Sequence, residues 1–293
     1  MSDVRWKTLK ERVEAEPYCR ALGVAVETLD DGRARLRLPY DDRNSNPGRA
    51  LHGGVAASLI DIAGSLAART GFDPDADMES SVIDVAVSYL AAAIGEEIVA
   101  DANVLRRGKE ITYSDVAIAT MEGKAIARGL VTHRAVPAGG RPRLFAGAAD
   151  PDALLASEVS SLGKAFMKVP FIGRLGMRNE RMEAGTARVR LPFLEVNTGE
   201  RNAVHEGAII ALVDTSGAMA SWSIVGLDFS FKASTVGVHV NFTGPAIGEE
   251  LVSLARTLRK NEEIFWNEVT VVGATSRNLV AHGDVVYRIV VPQ

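Results

Sequence analysis

Two aspartates stand where aspartates are seldom found. Asp61 lies within the run Val55 to Ala68, and Asp214 lies within a second run of the same apolar and small-residue character. Burying an unpaired carboxylate costs several kcal/mol or drives its pKa upward. No cation sits one helical turn away: Ala57 and Ser65 flank Asp61, and Ile210 and Ala218 flank Asp214. A purely structural carboxylate would fit either run alone, but its appearance in both favours a functional role. Each run opens on a histidine, as His52-Gly53-Gly54 and His205-Glu206-Gly207. If these are helix starts, the free N–H groups there can receive an oxyanion, and glycine lets a substrate oxygen approach the backbone. A histidine that merely caps the helix is the plainer alternative.

Distance ties the two features together. Eight residues separate Gly53 from Asp61, about 12 Å along a helix. A reacting carbon must lie near both the oxyanion donors and the base or nucleophile, so one helix cannot supply both. A second helix running antiparallel could, which predicts two composite sites: Asp214 facing His52 and Gly53, and Asp61 facing His205 and Glu206.

The second helix comes from an internal duplication. Leu22-Gly23, Leu38-Pro39, Ala50-x-His52, Asp61 and Ile94-Gly95-Glu96-Glu97 recur as Leu175-Gly176, Leu191-Pro192, Ala203-x-His205, Asp214 and Ile247-Gly248-Glu249-Glu250, at a constant offset of 153 residues. Near the copy ends the offset becomes 154, as in Arg134 and Arg288, in accord with one inserted residue in the last hairpin. Each copy reads as an amphipathic helix (3–16 and 151–168), a hairpin turning at Asp30–Gly32 or Glu183–Gly185, a loop, a long helix (54–70 and 207–225) and further strands. The long helices are apolar or small on every face and must be wrapped. Five or six antiparallel strands around one buried helix follow for each copy. Residues 1–136 form the first domain and 151–293 the second; 137–150, rich in Pro, Gly, Ala and Arg, reads as a linker.

Composition narrows the function. The 293 residues are 47% hydrophobic and 24% charged with a formal net charge of −4, which suits two folded domains and gives no cationic footprint for nucleic acid. Cys19 is the single cysteine, which excludes an intramolecular disulfide or cysteine zinc cage and suits a reducing, cytoplasmic setting. The start lacks a signal-peptide pattern, and the apolar segments are broken by aspartate, so no membrane association is expected. The histidines are scattered without metal-ligand spacing, and no Gly-x-Ser-x-Gly elbow occurs. No metal or cofactor is expected.

The set Asn46, His52-Gly53-Gly54 and Asp61, followed by Ser88-Tyr89 and Gly95-Glu96, resembles the hotdog-fold acyl-CoA thioesterases, most closely the PaaI-like group in the 4-hydroxybenzoyl-CoA thioesterase superfamily. The resemblance covers most of both copies and implies an α+β tandem hotdog, each copy an antiparallel sheet wrapped around a long central helix. It implies that a helical aspartate acts as general base or nucleophile and that the glycine after the histidine donates its N–H to the thioester oxygen. The asparagine would place the substrate or attacking water. Asn46, His52, Gly53 and Asp61 match in copy one; in copy two His205 and Asp214 match, but Gly199 replaces the asparagine and Glu206 the first glycine.

The expected complete site is therefore Asp214 with Asn46, His52 and Gly53, and the Asp61 site is degraded or altered. Gly54 and Gly207 continue the two helix entrances. The family's serine or threonine early in the next strand falls near Ser81 or Ser80. Arg106, Arg107 and Lys109, with Arg259 and Lys260 in the matching turn, are candidates for coenzyme A phosphates or are simply solvated. Acyl-CoA is the expected substrate, its coenzyme A part of the substrate and not a cofactor. Two other functions stay open: a hotdog enoyl-thioester hydratase or dehydratase, and a non-catalytic acyl-CoA binding protein. Separate halves should lack activity, and dimers or trimers of the double-hotdog chain are expected.

Overall fold

The structure, a computed structural model, describes residues 6–72, 78–138, 150–153, 161–226, 228 and 230–291. It opens with two short helices, α1 (Lys7–Ala15) and α2 (Pro17–Leu22), where the pattern predicts one helix over 3–16. The break has a local cause. Glu16 is extended (φ −58°, ψ 131°), and Pro17, which has no N–H to give, occupies the first position of α2. Strands β1 (Ala25–Asp30) and β2 (Arg33–Leu38) form a hairpin whose Gly32 takes a φ of +70°. Helix α3 (Gly53–Arg69) follows, then β3 (Met78–Tyr89), β4 (Ile98–Arg107), β5 (Ile111–Thr120) and β6 (Ala125–Pro137).

The second copy repeats this order. Helices α4 (Ser161–Phe166) and α5 (Pro170–Arg174) precede β7 (Arg178–Glu183) and β8 (Thr186–Leu191). Helix α6 (Glu206–Val225) is followed by β9 (Lys232–Phe242), β10 (Leu251–Asn261), β11 (Ile264–Gly273) and β12 (Leu279–Val290). The helix predicted over 151–168 is described as α4, and 151–153 is a turn. Residues 139–149, most of the expected linker, lie outside the described residues, as do 154–160.

All twelve strands join in one antiparallel sheet ordered β1-β2-β4-β5-β6-β3-β9-β12-β11-β10-β8-β7. This is the tandem hotdog architecture. Each six-strand half wraps its own helix, and the halves are sewn together where β3 meets β9, from Asp84 opposite Asn241 to Ser88 opposite Gly237. That enclosure explains the uniformly apolar helices. Leu59 and Ile60 of α3 and Ile210 and Leu212 of α6 are fully buried, each contributing roughly 1.5–3 kcal/mol. Helix α6 is long and apolar enough to cross a membrane, but it lies inside the sheet.

Small residues let α3 and α6 touch. A Cβ on Gly54 would lie 2.9 Å from the backbone of Ala211, and one on Gly207 would lie 2.9 Å from Ser58 Cβ. Ser58 Oγ donates to the carbonyl of Gly207 at 2.9 Å, tying the helices across the crossing. The entrance of each helix is therefore laid against the middle of the other.

A shared irregularity fixes how the copies correspond. The pairing of β3 with β6 skips Ile83, and that of β9 with β12 skips Val236. These positions are 153 apart, so the same β-bulge is present in both copies. Across the bulged strands Val82 pairs with His133 and Thr235 pairs with Tyr287. Val82 and Thr235 are thus counterparts, as are His133 and Tyr287.

Candidate active site

Asp214 lies at the entrance of α3. A Cβ built on Gly53 would be 2.9 Å from Asp214 Oδ2 and 3.3 Å from Thr235 Oγ1, so only glycine leaves the carboxylate this place. The N–H of Gly53, first in its helix, has no intrahelical acceptor. Thr235 donates its hydroxyl to Asp214 Oδ1 at 2.6 Å, holding the carboxylate in one orientation. Tyr89, from β3, donates to the carbonyl of Gly53 at 2.9 Å and so braces the loop-to-helix turn. The cluster draws on α3 and β3 of one copy and α6 and β9 of the other.

The electrostatics follow from burial. Asp214 is 2% exposed. Its pKa is raised to about 6 by desolvation, against which the Thr235 hydroxyl and the Gly54 N–H pull it down. A carboxylate so placed is ionised at neutral pH yet basic enough to take a proton. His52 is driven down to about 4 by burial and is neutral. Its Nδ1 accepts the Gly54 N–H at 3.0 Å, so that nitrogen carries no proton. The 3.6 Å approach of His52 Nδ1 to Asp214 Oδ2 is therefore not an ion pair. His52 caps the helix and packs against Phe171 in a tilted arrangement, ring centroids 4.8 Å apart.

The other half has the same frame with different contents. His205 caps α6 through Nδ1, at 2.9 Å from the Gly207 N–H, and packs on Tyr18 as His52 packs on Phe171. Asp61 is 2% exposed. Burial, then the Glu206 carboxylate, push its pKa well above the usual carboxylate range. Its one hydrogen-bond donor among the described residues is Ser65, at a long 3.4 Å. Thr235 is replaced here by Val82, Tyr89 by Phe242, Gly53 by Glu206 and Asn46 by Gly199. A cavity of about 1160 Å³ opens beside Asp61, and His205, Glu206, Ser80 and Ser81 help to line it. Ser81 thus belongs to the Asp61 side.

Glu16, Cys19 and His205 bring ligand-type atoms within 4.8 Å of one another on the wall of that cavity. The group does not suit a metal ion. With Nδ1 of His205 accepting a backbone N–H, Nε2 holds the ring proton and faces Glu16 at 3.4 Å and Cys19 Sγ at 3.7 Å. Burial pushes the Cys19 thiol well up, away from the thiolate a metal requires.

The remaining candidates are spread out. Asn46 sits in the loop before α3, its N–H bonded to the carbonyl of Ala50, and its carboxamide has no hydrogen bond among the described residues. Arg106, Arg107 and Lys109 are exposed in and after the end of β4; Arg107 pairs with Asp31 at 3.0 Å, and a Cβ on Gly71, beyond the C-terminus of α3, would run into its guanidinium. They thus lie at the end of α3 opposite Gly53. Arg259 and Lys260 are exposed at the matching turn, with Lys260 over the Phe265 ring at 5.6 Å. His239, exposed on β9, lies 3.6 Å from Asp84 across the strand pair that joins the two halves. Neither Thr235 nor the bracing role of Tyr89 is evident from residue type and spacing alone. Carrying the 153-residue offset onto β9 would have set Thr235 opposite an unreactive Val82.

A family model described as the thioesterase superfamily matches residues 48–127. A Halobacterium salinarum protein provisionally named an esterase is 42% identical over 102 residues, 34% of this chain and 67% of the other. Human acyl-coenzyme A thioesterase 13 is 26% identical over 126 residues, 42% of this chain and 88% of its own. Among solved structures, an acyl-CoA thioesterase II from Mycobacterium marinum superposes with a TM-score of 0.63 over 94% of this chain and 99% of its own, at 14% identity. A hot dog fold protein of unknown function from Alicyclobacillus acidocaldarius gives 0.64 over 94% and 98%, at 15% identity. Both cover nearly the whole double-length chain, a likeness of fold.

Proposed function

The chain belongs to the thioesterase superfamily, and from that premise we propose that it hydrolyses acyl-CoA thioesters to a free acid and coenzyme A at the Asp214 site. The observation that carries this reading is the meeting of a buried carboxylate with a helix entrance. Asp214 Oδ2 lies 2.9 Å from where a Gly53 Cβ would be. The thioester oxygen sits against the Gly53 N–H, whose bond strengthens as the carbonyl becomes an oxyanion; such a donor contributes about 3–4 kcal/mol. Asp214 takes a proton from water, whose oxygen attacks the carbonyl carbon. The tetrahedral adduct collapses with cleavage of the C–S bond, and the departing thiolate recovers the proton that Asp214 took. Attack by Asp214 itself, with an anhydride then opened by water, uses the same atoms.

Asn46, its carboxamide uncommitted, positions the substrate or water, and Thr235 keeps the carboxylate aimed. Neither route calls for a metal or organic cofactor. A hydratase with a histidine base is less well supported, because His52 Nδ1 is committed to the helix cap. The sequence features support a cytoplasmic location, and exposed Leu105, Tyr113, Leu258 and Trp266 support self-association in dimers or trimers. The test is thiol release by Asp214→Asn and Asp61→Asn. The first should lower kcat/KM by about a hundredfold or more and the second far less. A larger loss from Asp61→Asn would overturn the assignment.

A further inference from the structure

The duplication provides an internal control: among the described residues, a cavity runs along the helix in one copy, and buried aromatic side chains stand at the matching positions in the other. In copy one the cavity starts at Asp61, runs past Ser65, Leu66 and Arg69 along α3, and reaches Met78 and His133. In copy two these positions hold Asp214, Ala218, Met219, Trp222, Phe231 and Tyr287. The last three are aromatic and pack together. Trp222 is 3% exposed, stacks on Phe231 with centroids 6.2 Å apart, and donates its indole N–H to Tyr287 Oη at 3.2 Å. Tyr287 is also the cross-strand neighbour of Thr235, which holds Asp214. Among the described residues, the path leading away from the carboxylate is a cavity at Asp61 and is crossed by the packed side chains of Trp222, Phe231 and Tyr287 at Asp214.

We propose that Trp222, Phe231 and Tyr287 form the end wall of the acyl pocket at the Asp214 site and restrict it to short-chain acyl groups. The inference rests on the thioesterase reading above and adds the class of acyl group. Trp222 lies eight residues beyond Asp214, about 12 Å along α6, and its indole reaches back over the preceding turn. A long alkyl chain entering there must displace the stacked pair and break the indole hydrogen bond. A short one ends beside Ala218 and Met219, before the wall. The pocket is thus set by three side chains that copy one carries as Arg69, Met78 and His133.

The experiment is a kcat/KM series over acetyl-, butanoyl-, octanoyl- and hexadecanoyl-CoA. The native chain should prefer butanoyl- to octanoyl-CoA by about tenfold or more, the scale on which an apolar pocket discriminates by size. Trp222→Ala should raise the octanoyl-to-butanoyl ratio by about tenfold. Phe231→Met, which installs the residue copy one has there and nearly conserves volume, should move the ratio the same way by less and guards against a Trp222→Ala chain that fails to fold. Turnover of butanoyl-CoA with a ratio that neither variant shifts would overturn the wall and leave the thioesterase reading standing. So would a native chain that hydrolyses octanoyl- as fast as butanoyl-CoA. If no acyl-CoA is turned over by any of the three proteins, both inferences fall.

Discussion

Replacing Thr235 by valine gives the sharpest test of how Asp214 is tuned. The hydroxyl lies 2.6 Å from Asp214 Oδ1 and favours the ionised carboxylate, opposing the burial that raises its pKa, which stands at about 6 with this bond in place. Valine already stands at the counterpart position, Val82, in a strand with the same bulge, so the backbone accepts it. A hydrogen bond to a charged group is worth about 1.5–3 kcal/mol, and one pKa unit about 1.4 kcal/mol. The acid limb of the kcat/KM profile should therefore move up by roughly one to two pH units. The sign follows from the role of the base: hydrolysis needs it ionised, so activity rises with pH through the limb. At pH 6 the variant should lose about five- to fiftyfold, and much of that loss should vanish well above the limb. Thiol release measured from pH 5 to 9 reads this directly, since kcat/KM reports ionisations of the free enzyme. An unmoved limb, or a loss equal at every pH, would refute the tuning argument.

Two further outcomes follow from the same charges. Because the Asp214 pKa is higher folded than unfolded, its contribution favours the folded state below about pH 4, falls as pH rises through about 6, and is then level. Asp214→Asn should thus stabilise the chain at pH 8 by about 3 kcal/mol, some two pKa units at about 1.4 kcal/mol each, with the gain fading near pH 4. Urea unfolding at both pH values checks this, and equal stability at pH 8 would show that the carboxylate is better solvated than its burial implies. In an Asp214→Asn background, the combination Gly199→Asn, Val82→Thr and Glu206→Gly should rebuild the Asp61 site and raise thiol release by about tenfold or more over the background. No gain would mean that the Asp61 site lacks something besides these three groups.

The duplicated elements, the wrapped helices and the antiparallel helix pair were legible in the sequence because each leaves a periodic trace. The composite geometry was also within reach, since the rise per residue alone separates Gly53 from Asp61. Other features leave no such trace. The kink at Pro17 competes with an unbroken amphipathic pattern. Thr235 lies in a strand whose bulge changes which residues face inward; the 153-residue offset matches it to Val82, but only the folded arrangement shows that its hydroxyl reaches Asp214. The difference in open space between the copies depends on how Trp222, Phe231 and Tyr287 pack, and residue types on a helix, a loop and a strand do not disclose that they touch.

The single strand-to-strand seam between β3 and β9 has a consequence for inheritance. In an assembly of two identical chains, a substitution that alters one reaction centre alters its twin, so neither can be relieved of duty alone. Joining the copies end to end removes that obligation. Glutamate can occupy position 206 while glycine persists at 53, and valine can occupy 82 while threonine persists at 235. One centre is then free to drift toward another ligand while the other remains under selection, with the shared sheet still holding both in shape.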